Sequence, residues 1–200
     1  MTAGRRPLGQ AFFARPVLDV ARDLVGTVLA VDAPAGPARV RLVEVEAYAG
    51  EDDPASHAGR GPTPRSRIMF GPPGYAYVYV VYGMHHCLNV VTGDDGTAGA
   101  VLIRAAEPLA GLPADPRLLA GPGRLCRALG IDLGWNGWTV AADLPGPARL
   151  CLWPGSPPRE VVVSPRIGIR RAADRPWRFC DPDSSALSRP LRATPPGRPT

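Results

Sequence analysis

The run Tyr75–Val90, YAYVYVVYGMHHCLNV, limits the folds open to this chain more than any other stretch. Tyr75, Tyr77 and Tyr79 alternate with Ala76, Val78 and Val80, so an extended backbone carries one aromatic face and one aliphatic face. The alternation breaks at Tyr82, beside Gly83, and an apolar run resumes through Val91. That pattern predicts a strand Tyr75–Val81, a tight bend at Tyr82–Gly83 and an antiparallel partner strand. Aromatics are good strand formers, so the plain explanation is an ordinary half-buried sheet. Tyr82 fits that explanation badly. A large ring at a hairpin tip is poorly placed for a core and well placed to wedge between stacked bases, with the rings behind it free to stack on a flat heterocycle.

Around this hairpin the chain punctuates itself with glycine and proline. Pro16 opens a short helix through Leu24, which Gly26 ends. Strands are expected at Thr27–Val31, Val40–Tyr48, Ala100–Ala105, Ala148–Trp153 and Glu160–Val163, with a second helix over Pro122–Leu129. Glu51–Arg67 is a long loop of the kind that usually has a task. Hairpin connections imply antiparallel pairing and the helices are peripheral, so the expected class is α+β, one domain over 12–187. A loose lead-in is expected over 1–11, within which the basic stretch Met1–Gln10 is the clearest part, and a frayed tail over 188–200.

Charge adds a preference for polyanions. From Arg149 onward ten arginines face four acids, whereas the rest has thirteen arginines against fourteen acids. Such a surplus suits phosphate contacts or a merely solvated basic tail. No lysine occurs anywhere, so no side-chain amine can form a Schiff base. The four cysteines form no C-x-x-C pair and read as buried thiols. No apolar run is long enough to span a bilayer and no signal segment is apparent, which leads us to expect a cytoplasmic protein.

The chemistry sits in RLVEVEAYAG. With a period of two, Glu44, Glu46 and Tyr48 share one face, while Val43, Val45 and Ala47 share the other and go to the core. Two carboxylates and a phenol on one strand face permit three readings: a solvated surface, a Mg²⁺ site of a nuclease, or a general base acting on water beside a ring-holding aromatic. The following loop adds His57, Arg60, Arg65 and Arg67, and its three arginines can grip phosphates.

These segments together resemble the alkyladenine (3-methyladenine) DNA glycosylases. The resemblance rests on ARDLVGTVL, VEVEAYAGEDDPASHAGRGPTPRSRIMFGPPGYAYVYVVYGMHHCLNVV, AVLIRAAEPLAG, LAGPGRLCRALGID and SPRIGI. The central segment is highly specific. The resemblance implies a single mixed domain around a curved antiparallel sheet. It implies that Glu46 activates water against C1′ of the sugar, with Glu44 in support. The flipped base would lie between Tyr48 and Tyr79, with His57 on the Tyr48 side, Asn89 as the floor that crowds the exocyclic amine of guanine, and Arg104 near the catalytic acid. Tyr82 would intercalate. Arg60, Arg65, Arg67 and Arg124 are candidates for phosphate contacts. Ser66 stands where relatives often have Asn, and the turn TGDDGTAG is longer than in some members. The partner implied is double-stranded DNA carrying damaged purines. No cofactor, metal or obligate protein partner is expected, and the protein is expected to act as a monomer. The range of lesions, hypoxanthine and ethenoadenine included, is left open. A non-catalytic nucleic-acid-binding module accounts for the tyrosines and the charge but leaves Glu46 without a purpose.

Overall fold

The computed structural model describes residues 6–33, 36–147 and 149–191. Eight antiparallel strands form one sheet: β1 (Val28–Ala33), β2 (Gly36–Ala49), β3 (Ala76–Val81), β4 (His85–Val91), β5 (Gly99–Ala110), β6 (Leu150–Trp153), β7 (Val162–Ser164) and β8 (Arg178–Cys180). Their order is β3-β4-β5-β2-β1-β6, with β8 joined to both β2 and β7. The sheet curls into a half-barrel with few helices, the α+β class expected. At its centre, β2 pairs with β5 along one edge for nearly its whole length. Along the other edge, β1 takes residues 36–41 and β8 takes Glu44–Glu46. The acids therefore lie where both edges of the strand are occupied.

The helices α1 (Gln10–Phe13), α2 (Val17–Leu24) and α3 (Pro122–Leu129) supply the rest of the secondary structure with two 3-10 turns, Arg67–Phe70 and Leu133–Trp135. Both α2 and α3 present apolar stripes to one face of the sheet, where Val20, Leu24, Leu125 and Leu129 meet Val45, Ala47, Val78, Leu88, Val101 and Ile103. Pro at the first turn of α3 and a left-handed Gly130 after its end set the limits read from the sequence.

One packing expectation needs correcting. Val43 does not join the main core; it packs with Ala105 and Ala186 in a small separate cluster. The register of β2 against β5 shifts on both sides of Glu44, marking a bulge. A bulge adds a residue and inverts the pleat, so Leu42 and Val45, three positions apart, both reach the main core.

The elements also extend beyond the expected limits. Leu8, assigned to the loose lead-in, bonds the carbonyl of Leu152 and packs against the core, and the helix α1 follows. The expected strand start at Ala148 lies outside the described residues, and the strand runs from Leu150. The short strand β8 was not anticipated. Ser188, placed at the head of the tail, bonds Glu44, and the Arg189 carbonyl accepts from Arg178. Of the tail, residues 192–200 lie outside the described residues. None of the described helices is long and apolar enough to cross a membrane.

Candidate active site

The face of the sheet opposite the helices is where the polar side chains collect. In register, Tyr77, Asn89, Leu102 and Glu46 form one row across β3, β4, β5 and β2. At the usual strand spacing that row spans about 14 Å, wide enough to seat a planar group between its outer strands. Tyr79 and Tyr48 lie one pleat away on those outer strands, and Arg104 extends the same face of β5. The C-terminal segment then crosses the acids and covers them.

Glu44 and Glu46 are both fully buried, yet neither sits in an apolar environment. Glu44 accepts from Arg104 Nε at 2.9 Å, Arg178 Nε at 2.8 Å, Ser188 N at 2.6 Å and Ser188 Oγ at 2.6 Å. Burial raises its pKa, but the Arg178 hydrogen bond, Arg104 and Ser188 outweigh it and hold the carboxyl below its ordinary range. Glu46 accepts at Oε1 from Ile167 N at 2.7 Å, and at Oε2 from Tyr48 Oη at 2.8 Å and Arg104 Nη1 at 3.2 Å. Here burial wins over Arg104, Ile167 and Tyr48, and the pKa is raised. Two acids two residues apart are thus driven in opposite directions. Arg104 spans both with one planar fork, and with Arg178 it balances the two carboxylates. Burial and the Glu46 charge raise the Tyr48 pKa, so Tyr48 stays a phenol and a donor.

In front of this network lies a cavity of about 400 Å³ walled by Tyr48, Tyr79, His57 and Arg65, with Asn89 and Ala100 contributed by the strands between. Asn89 Nδ2 donates to the carbonyls of Tyr77 at 2.9 Å and Cys87 at 3.4 Å, which leaves Oδ1 for the cavity side. His57 bonds Tyr77 Oη through Nδ1 at 2.8 Å, and its ring meets Tyr79 edge-on at 4.6 Å. It was expected on the Tyr48 side of the base; the contacts it makes in the free protein are with Tyr77 and Tyr79 of β3. Although one side of the ring faces solvent, the desolvation from its neighbours and the Arg65 charge push its pKa down to about 4, so it is neutral at physiological pH.

The expected phosphate ligands divide. Arg65 lies over the Tyr79 ring at 4.8 Å and donates to the Val80 carbonyl, which makes it part of the cavity wall. Its planar cation meets a π face and a carbonyl of β3, and the side chain is also exposed. Arg60, Arg67 and Arg124 remain exposed. The basic C-terminal quarter is also less free than its composition suggests, because Arg166 and Arg178 are buried in ion pairs with Asp53 and Glu44. At the hairpin tip Tyr82 is 89% exposed and Met84 70% exposed. Tyr82 holds a left-handed φ of 53° and Gly83 one of 70°, the backbone of a primed hairpin turn, with Met84 N bonded to Val81 O. Several residues had no assigned role in the sequence: Asp53, Met84, Arg166, Ile167, Arg178 and Ser188. Only Met84, an apolar side chain beside a hairpin turn, carried a local signal. The others act across long stretches of chain.

An acid held by directed hydrogen bonds behind a ring-walled cavity, on a curved sheet with an aromatic hairpin tip, is an arrangement compatible with a hydrolase acting on a planar group. The sequence pattern of the methylpurine-DNA glycosylase family matches residues 11–185. Relatives carry provisional 3-methyladenine DNA glycosylase names. One from Anaeromyxobacter dehalogenans is 51% identical over 95% of this chain and 87% of its own length. Another, from Nitrobacter winogradskyi, is 48% identical over 94% and 90%, and one from Streptomyces avermitilis is 45% identical over 97% and 96%. The chain belongs to the methylpurine-DNA glycosylase family, enzymes of DNA repair that hydrolyse N-glycosidic bonds.

Proposed function

We propose that this protein excises methylated purines, 3-methyladenine and 7-methylpurines among them, from duplex DNA by flipping the nucleotide and hydrolysing its glycosidic bond with water activated by Glu46. The observation that carries the proposal is the hydrogen bonding of that carboxylate. Oε2 already accepts from both Tyr48 and Arg104, whereas among the described residues Oε1 accepts only from Ile167 N. A carboxylate oxygen has two lone-pair positions, so Oε1 keeps one for a water. The water oxygen attacks C1′, the bond from C1′ to the purine nitrogen breaks with its electron pair going to the base, and Glu46 takes the proton. An abasic sugar and a free base result. The developing positive charge on the sugar favours a nearby carboxylate. A purine alkylated at N3 or N7 is cationic in the nucleotide and leaves neutral, so no protonation of the leaving group is needed.

The cavity accounts for binding. Tyr48 and Tyr79 provide two π faces for the extruded base, neutral His57 adds no charge against a cationic purine, and Asn89 crowds the position of the guanine amine. Tyr82 and Met84, both projecting from the hairpin, fill the gap left in the duplex. Arg60, Arg67 and Arg124 are exposed for phosphate contacts. In the free protein the Glu46 side chain has no solvent-exposed surface. The test is incubation with methylated duplex DNA in EDTA, followed by separation of free bases. Release of 3-methyladenine or 7-methylguanine, absent in Glu46→Gln, is expected; intact DNA, or release only with added metal, would refute the proposal.

A further inference from the structure

Behind Tyr48 lies a buried ion pair that the mechanism above does not use. Arg166 donates from Nη1 to Asp53 Oδ2 at 2.6 Å and from Nη2 to Asp53 Oδ1 at 2.8 Å, and both side chains have no exposed surface. Nη1 also reaches the carbonyl of Ala47 at 2.9 Å, the residue between Glu46 and Tyr48. The guanidinium lies 4.6 Å from the centre of the Tyr48 ring and 5.0 Å from that of Trp177, so it is held between them. Asp53 in turn accepts from the backbone of Ala49 and Ala55 and so anchors the loop that carries His57. The residue after Arg166 is Ile167, whose N–H occupies Glu46 Oε1.

We infer that Arg166 is a positioning residue that joins base stacking to water activation: clamped by Asp53, it backs the Tyr48 ring and fixes the Ile167 N–H against Glu46. Among the described residues its Nε is buried without a hydrogen-bond partner. Lysine cannot replace this group, because an ammonium neither stacks as a plane nor forms the two-pronged contact.

The inference rests on the glycosylase reading, and the test keeps the two apart. Single-turnover excision from methylated duplex would be followed across pH for wild type, Glu46→Gln, Arg166→Lys and Asp53→Asn, with the folded fraction of each measured by thermal unfolding. Arg166→Lys should excise roughly tenfold to a hundredfold more slowly per folded molecule, the scale of a misplaced catalytic geometry. Its acid limb should move to higher pH, because the Ile167 hydrogen bond favours the ionised form of Glu46. Binding to undamaged duplex should not change. Asp53→Asn should shift the limb the same way, and it alone decides if Arg166→Lys does not fold. A rate that falls only with the folded fraction, on an unmoved acid limb, reduces Arg166 to a structural anchor and overturns the inference. Failure of wild type to release any base would instead overturn the glycosylase reading.

Discussion

Replacing each buried acid in turn by glutamine should separate catalysis from stability across two residues of one strand. Glu44 receives four donors, two of them from arginines, at 2.6–2.9 Å. Glutamine offers a single acceptor oxygen, so Glu44→Gln strands donors and leaves Arg178 buried without its counter-charge. Breaking a buried ion pair in this way costs about 3–5 kcal/mol. For a domain of this size that corresponds to a Tm lower by roughly 6–20 °C. Glu46 differs because its surroundings already favour the neutral form, burial being the largest influence on it. Glu46→Gln turns one amide N–H toward a donor, a loss of about 1–3 kcal/mol, but escapes the desolvation of a charge. These effects oppose each other, so Tm should change by less than roughly 8 °C. Excision should nevertheless fall by about 10²–10⁴-fold, the contribution of a general base and equivalent to about 3–5 kcal/mol of barrier. The assays are thermal unfolding and single-turnover excision on methylated duplex. Glu46→Gln working within tenfold of wild type, or unfolding as early as Glu44→Gln, would refute the assignment of roles.

Other outcomes follow from the same geometry. The excision rate should fall with decreasing pH along a limb above the ordinary carboxylate value of 4.5, since Glu46 must be ionised; a rate–pH profile with its limb at or below 4.5 contradicts this. The raised Glu46 pKa contributes stability that is complete below 4.5 and lost as pH rises through the folded value, so Glu46→Gln should gain stability relative to wild type toward neutral pH in denaturant titrations. His57, with its pKa lowered from 6.5 to about 4, favours the fold above 6.5 and loses that contribution as pH falls between the two values; His57→Gln should flatten unfolding curves in that window. Tyr82→Gly should leave Tm equal or higher, relieving about 1 kcal/mol of left-handed strain, while affinity for a duplex holding a flipped-base analogue drops. Arg67→Ala should weaken damaged and undamaged duplex alike and reduce the slope of log affinity against log salt by about one; a loss confined to damaged DNA would place Arg67 in the cavity.

The hairpin was legible because its two signals are local. Side-chain alternation in Tyr75–Val81 and the need for positive φ near Gly83 depend on neighbours within a few residues. The same holds for α3, bracketed by Pro122 and Gly130. The bulge beside Glu44 was not legible, because it arises from the pairing of β2 with β5, about sixty residues further along. Nor was the hydrogen bond between His57 and Tyr77, twenty residues further along.

From its sequence alone this chain has an aromatic hairpin tip, a strand bearing Glu44, Glu46 and Tyr48, and the resemblance that points to its family. Short-range backbone preferences and residue identity suffice for these. Only the tertiary structure decides which acid is kept charged and which is pressed toward neutrality. Ile167 reaches Glu46 across 121 positions, Ser188 reaches Glu44 across 144, and Arg166 reaches Asp53 across 113. Ionisation depends on solvation and on partners in space, and the order of residues along a chain carries neither until the chain has folded.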